Sequence, residues 1–106
     1  LDRKINVNKA LELLKKAVDL EPSDGYIRDS LGWAYFLSKK FEESVYHLEK
    51  AVVMLPNDAT LNDHLGDAYW MSNRKSEALS QWKKVLVLDP NYKDKKFINT
   101  KINKGL

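Results

Sequence analysis

Between Val7 and Leu20 the apolar residues Ala10, Leu11, Leu14, Ala17, Val18 and Leu20 recur at intervals of three and four, with Lys9, Glu12, Lys15, Lys16 and Asp19 between them. That spacing predicts an amphipathic helix. Pro22 lies beyond its end, and Ser23-Asp24 offers a side-chain oxygen to cap a following helix. Residues 24 to 38 then place Ile27, Leu31, Ala34 and Tyr35 on one face and end in Ser38-Lys39-Lys40, a turn. Phe41 to Met54 reads as the helix paired with it, burying Phe41, Val45, Leu48, Ala51 and Val52 and turning Glu42, Glu43, Glu49 and Lys50 to water. The pattern runs once more: a cap at Asn57 or Asp58, a helix to about Met71, a Ser72-Asn73-Arg74 turn, and a helix from Lys75 to Leu88 on a stripe of Ala78, Leu79, Trp82, Val85, Leu86 and Leu88. After Pro90, Tyr92 to Lys104 predicts a last helix whose apolar set is Tyr92, Phe97, Ile98 and Ile102 amid lysines.

The two central stretches are copies. Laid over Asn57–Pro90 without a gap, Ser23–Pro56 matches at 11 of 34 positions, among them Asp24/Asp58, Asp29/Asp63, Leu31/Leu65, Gly32/Gly66, Tyr35/Tyr69 and Pro56/Pro90. Agreement so far above chance means a repeat, and a period of 34 residues is that of a helix-turn-helix solenoid. Gly32 and Gly66 fall inside helices, where each costs about 1 kcal/mol relative to Ala. Close approach of the paired helix would explain their recurrence.

These positions resemble those of the tetratricopeptide repeat family: Leu31, Gly32, Tyr35, Ser44, Leu48, Ala51 and Pro56 in one unit, and Leu65, Gly66, Tyr69, Ala78, Trp82, Val85 and Pro90 in the next. The likeness covers residues 10 to 90. Arg28 and Asn62 stand where the family places an aromatic, and Val85 stands where it places Ala, so looser packing is expected there. The implied fold is an all-α helix-turn-helix solenoid in a single domain. Residues 1-22 are the second helix of a partial repeat, 23-56 and 57-90 are full repeats, and 91-106 form a capping helix. Residues 1 to 6 are expected to be the frayed remnant of a preceding helix. The start at Leu1, in mid-repeat, reads as a segment of a longer bacterial protein.

Composition narrows the function. No run of about eighteen apolar residues exists to span a membrane. The absence of cysteine excludes disulfides and thiolate chemistry while leaving cytoplasm and periplasm equally compatible. The formal charge of +3 is uneven: residues 91–106 hold five lysines against Asp94, and a solvated end helix is the simplest reading of them. No nucleophile motif or phosphate-binding glycine loop is present, so neither catalytic residues nor cofactors are expected. His64, beside Asp63 and one turn before Asp67, has too few neighbouring ligands for a metal site and is expected to be exposed. His47 is expected to be solvated as well.

The functional signal is a face of the first helices. Tyr26, Asp29, Trp33 and Phe36 lie at i, i+3, i+7 and i+10 on one side of their helix, and Asp63, Asp67 and Trp70 take the matching places in the next unit. In tetratricopeptide arrays the first helices line the concave surface, so the resemblance implies that these seven residues share a groove. Large aromatics with a few charges compose a binding surface. Asp29, Asp63 and Asp67 would repel nucleic-acid phosphate. Relatives that clamp the terminal carboxylate of chaperone tails carry Lys, Arg and Asn where Asp29, Trp33, Asp63 and Asp67 stand, and that clamp is missing. The expected function is a protein-protein interaction scaffold without catalysis, its partner a protein or peptide that is apolar with basic residues. The alternative is self-association into a homo-oligomer through the exposed repeat end, the apolar face of residues 10 to 20.

Overall fold

A computed structural model describes residues 3–106, with side chains from residue 6 onward. Among the described residues there are six helices and no strand: α1 (Arg3–Leu20), α2 (Gly25–Leu37), α3 (Phe41–Met54), α4 (Ala59–Met71), α5 (Lys75–Leu88) and α6 (Lys95–Lys104). None is long and apolar enough to cross a membrane. Leu1 and Asp2 lie outside the described residues, while Arg3–Asn6, expected to belong to a separate remnant, continue α1 without a break.

Local chemistry sets the helix ends. Asp24 caps α2 by accepting from the Tyr26 and Ile27 amides, and Asp58 caps α4 by accepting from the Leu61 amide. One repeat further on the same position is Tyr92, which has no such oxygen. Accordingly α6 begins two residues late in the repeat register, at Lys95, with no side-chain cap bond. The two turns inside the repeats also share a geometry: Lys39 and Asn73 each take φ 62°. The amides of Lys40 and Arg74 thereby reach back to Tyr35 O and Tyr69 O at 3.0 and 2.8 Å, which reverses the chain and satisfies carbonyls left open at the helix end.

Each helix packs on the next, and α2 also meets α4, so the first helices of the repeats line the inner side of the stack. Leu11 and Val18 of α1 pack with Leu31, Ala34 and Tyr35 of α2. Beyond them a larger core joins Val45, Leu48, Leu65, Ala68, Tyr69, Ala78, Trp82 and Val85 to Tyr92 and Ile98. Paired helices approach at the glycines. A Cβ on Gly32 would lie 2.7 Å from Leu48 Cδ2, and one on Gly66 would lie 2.5 Å from Trp82 Cδ1. Buried Ser44 uses the same closeness to donate to Gly32 O at 2.8 Å.

Several single-residue expectations change. Leu20 and Phe97 are not core but 80% and 69% exposed, since helical spacing continues past the point where a neighbour ends. Packing is not loose at the departures from the family pattern. Val85 is fully buried, and so is Asn62, whose amide donates to Pro56 O and Asp58 O. Arg28 lies 3.1 Å from His47 Nδ1. His47 itself is half-buried and stacked on Tyr35 rather than solvated. Burial, then the Arg28 charge, lowers its pKa to about 4.

Candidate functional site

The inner face divides into an open half and a closed half. The open half is built on α2 and α4. Trp33 stacks on Phe36 one turn later, with ring centroids 4.4 Å apart, and on His64 of α4 at 4.2 Å. The imidazole is held there by Asp29, whose Oδ1 is 2.9 Å from His64 Nδ1. His64 therefore faces a carboxylate of the preceding repeat, 35 residues away, instead of solvent or its sequence neighbours Asp63 and Asp67. Trp33 and Phe36 remain partly exposed, although Phe36 also packs against the larger core. Tyr26 stands at the start of α2 with more than half its surface open. The Asp58 carboxylate beside it raises its phenol pKa.

The closed half is built on α4, α5 and α6. Asp63 and Asp67 are buried, and Lys101 of α6 reaches both, 2.8 Å from Asp63 Oδ1 and 2.9 Å from Asp67 Oδ1. Each carboxylate has a second donor. The Tyr92 hydroxyl donates to Asp63 Oδ2 at 3.1 Å, and the indole N–H of fully buried Trp82 donates to Asp67 Oδ1 at 3.0 Å. Donors on two sides are what a carboxylate needs to stay buried. Burial nonetheless raises the Asp67 pKa, the Lys101 charge offsetting part of the rise. For Lys101 burial is the largest influence and lowers the pKa. The bonds and charges of Asp63 and Asp67 together outweigh it and hold the ammonium above its ordinary value. Burial also pushes the Tyr92 phenol up to about 12. Trp70 leans on Trp82 at 5.6 Å, carries the Lys75 ammonium 4.9 Å above its ring, and is covered by Gly105.

Trp33 and Asp67, at matching places in the two repeats, thus differ in their surroundings. Asp67 is 8% exposed because α6 lies over it, whereas Trp33, although stacked on Phe36 and His64, stays partly exposed. Lys101, His64, Trp82 and Tyr92 are site residues that the sequence reading left out. A signal for Lys101 was present, since positions 33, 67 and 101 are successive steps of 34 and put Trp, Asp and Lys at the same place on α2, α4 and α6.

No family model matches the sequence, and no curated protein matches it. Solved structures do. The first tetratricopeptide domain of Spaghetti (RPAP3), bound to the HSP90 peptide SRMEEVD, superposes with a TM-score of 0.86 at 22% identity over 96% of this chain and 79% of that one. The chain has the tetratricopeptide-repeat fold. The tetratricopeptide domain of Arabidopsis OM64 agrees, with a TM-score of 0.84 at 20% identity over 98% of this chain and 86% of that one. MamA is similar at a TM-score of 0.77 and 24% identity over 81% of this chain, which spans half of the MamA chain. Seen within the tetratricopeptide stack, α6 occupies the place of a third first-helix, and its lysine bridges to the carboxylates of the repeat before it.

Proposed function

We propose that this tetratricopeptide domain is a non-catalytic scaffold whose inner face binds a protein segment that is apolar with basic residues. The observation that carries the reading is the Trp33 stack. A tryptophan fixed between Phe36 and His64, with Asp29 locking the imidazole, is a preorganised aromatic anchor that loses little entropy on binding. Tyr26 extends the same surface, and Trp70 continues it toward α6. Asp29 sets the sign of the open half, and Asp63 and Asp67 can meet a partner only where Lys101 is displaced. The Spaghetti domain holds an acidic peptide, SRMEEVD. The Asp29 carboxylate of the open half opposes such a ligand and favours a cationic one, and no basic side chain besides His64 pairs with it there among the described residues.

Titration of fluorescently labelled peptides tests this. A basic, aromatic-containing peptide should bind, and Trp33→Ala should weaken it by about 2 kcal/mol, roughly thirtyfold. Peptide SRMEEVD should not bind. Tight capture of the acidic peptide, or unchanged affinity in a folded Trp33→Ala chain, would remove the reading.

One observation supports self-association as a second function. Leu48 and Ala51 of α3 are fully buried against α2, whereas Leu14 and Ala17, their counterparts in α1, stay partly exposed, with Leu13 at 60% beside them. Sedimentation equilibrium decides, and a monomer mass up to high concentration would exclude it.

A further inference from the structure

α6 buries less of itself than α2, α3, α4 or α5 does. Ile98 is its one fully buried residue, Phe97 lies mostly in water, and no side chain caps its first turn. Ile102 packs partly buried against the same core as Ile98, and the rest of the helix's hold on the inner face is polar. Lys101 sits between Asp63 and Asp67 at 15% side-chain exposure, and Gly105, at φ 77°, lies against the Trp70 indole, where a Cβ would collide with the ring. On its outer side Lys93, Lys96, Asn99, Thr100 and Asn103 stand one period after Ala59, Asn62, Leu65, Gly66 and Tyr69, which in α4 include the positions facing the paired helix α5. All five are exposed. This side of α6 thus offers lysines, asparagines and a threonine where α4 offers a largely apolar face.

Resting on the reading that the inner face takes a protein segment, we infer that its closed half is a docking site for an amphipathic helix bearing a lysine, and that α6 is the resident occupant. The partner's chemistry follows from what α6 presents: an aliphatic residue, a lysine three residues on, a second aliphatic next to it, and a glycine three residues beyond, as in Ile98, Lys101, Ile102 and Gly105. The lysine answers two carboxylates that are already desolvated and oriented by Tyr92 and Trp82. The aliphatic pair covers the Trp82 end of the core, and the glycine lets backbone reach Trp70. A helix with this pattern enters by exchange with α6 and binds in the helix-in-groove mode. Because site and occupant share one chain, α6 lowers the apparent affinity of every competitor by the fraction of time it stays docked.

Two measurements on the full chain test the inference. In native-state hydrogen exchange, the amides of α6 should open as a unit of their own, faster than those of α4 and α5. Exchange of α6 only together with α4 and α5 would overturn it. The second measurement uses a fluorescein-labelled peptide of residues 91–106 added to the parent chain and to the Lys101→Glu chain, where like charge against Asp63 and Asp67 ejects α6. The variant should bind the peptide about tenfold or more tighter than the parent does, and a peptide carrying Lys101→Glu should bind neither. A variant that keeps its helix content and binds no tighter than the parent, or binds both peptides alike, refutes the exchange. Should that variant unfold, the exchange pattern of the parent decides. Trp33→Ala concerns the half of the face that α6 leaves open, so failure of the exchange and failure of the scaffold reading are separable.

Discussion

Replacing Gly66 by alanine tests the approach of the paired helices α4 and α5. The new Cβ would lie 2.5 Å from both Cδ1 and Nε1 of Trp82 and 3.2 Å from Cε2. Trp82 has nowhere to go. It is fully buried, Trp70 leans on it, and its N–H is committed to Asp67. Overpacking of this kind costs about 1–3 kcal/mol, and a strained bond to a carboxylate puts up to about 1.5–3 kcal/mol more at stake. The better helix propensity of alanine returns about 1 kcal/mol. The net expectation is a loss of about 1–3 kcal/mol, which for a domain of this size lowers the melting temperature by roughly 5–20 °C. Gly32→Ala is the internal control. Its Cβ would meet Leu48 Cδ2 and Cγ at 2.7 Å and the Leu48 backbone N at 3.2 Å, but the Leu48 side chain holds no hydrogen bond to strain, so a loss smaller than that of Gly66→Ala, about 1–2 kcal/mol, is expected. Thermal unfolding followed by far-ultraviolet circular dichroism measures both. A Gly66→Ala chain that melts at or above the parent, or costs less than Gly32→Ala, would show that the glycines do not mark a rigid approach.

Two further expectations concern stability. His47 has a folded pKa of about 4 against an ordinary 6.5. The unfolded chain therefore takes up a proton that the folded one refuses, and stability complete above pH 6.5 falls as the pH drops toward 4. Discounted for the partly solvated ring, the loss is about 1–2 kcal/mol. His47→Gln, which can still accept from Arg28, should flatten this window in urea titrations, and an unchanged pH profile would contradict the assignment. In α6, Ile98→Ala should cost about 2–5 kcal/mol and Phe97→Ser less than about 0.5 kcal/mol, because the first is fully buried and the second is mostly in water. Equal costs in denaturant titration would contradict the orientation of the helix.

The sequence alone determined the repeat and, with it, the helices. Their periodicity, the Asp24 and Asp58 caps and the glycines facing a neighbour are local signals written twice, and a pattern repeated after 34 residues specifies stacking as well as secondary structure. Aromatic and acidic residues on the first helices were legible in the same way, because helical spacing assigns a residue to a face. What lies across from that face is not local. Asp29 meets His64 at 35 residues' distance, and Asp63 and Asp67 meet Lys101 at 38 and 34, so a carboxylate that spacing places on a groove proves to be half of an internal ion pair. Phe97 and Ile98 are adjacent and both apolar, yet only the direction in which α6 docks buries one and exposes the other. Periodicity fixes angles about a helix axis. The occupant of a face depends on where the next helix sits, and that was decided by tertiary packing, by Lys101 finding two desolvated carboxylates and Gly105 finding a tryptophan on which only a residue without a Cβ can lie.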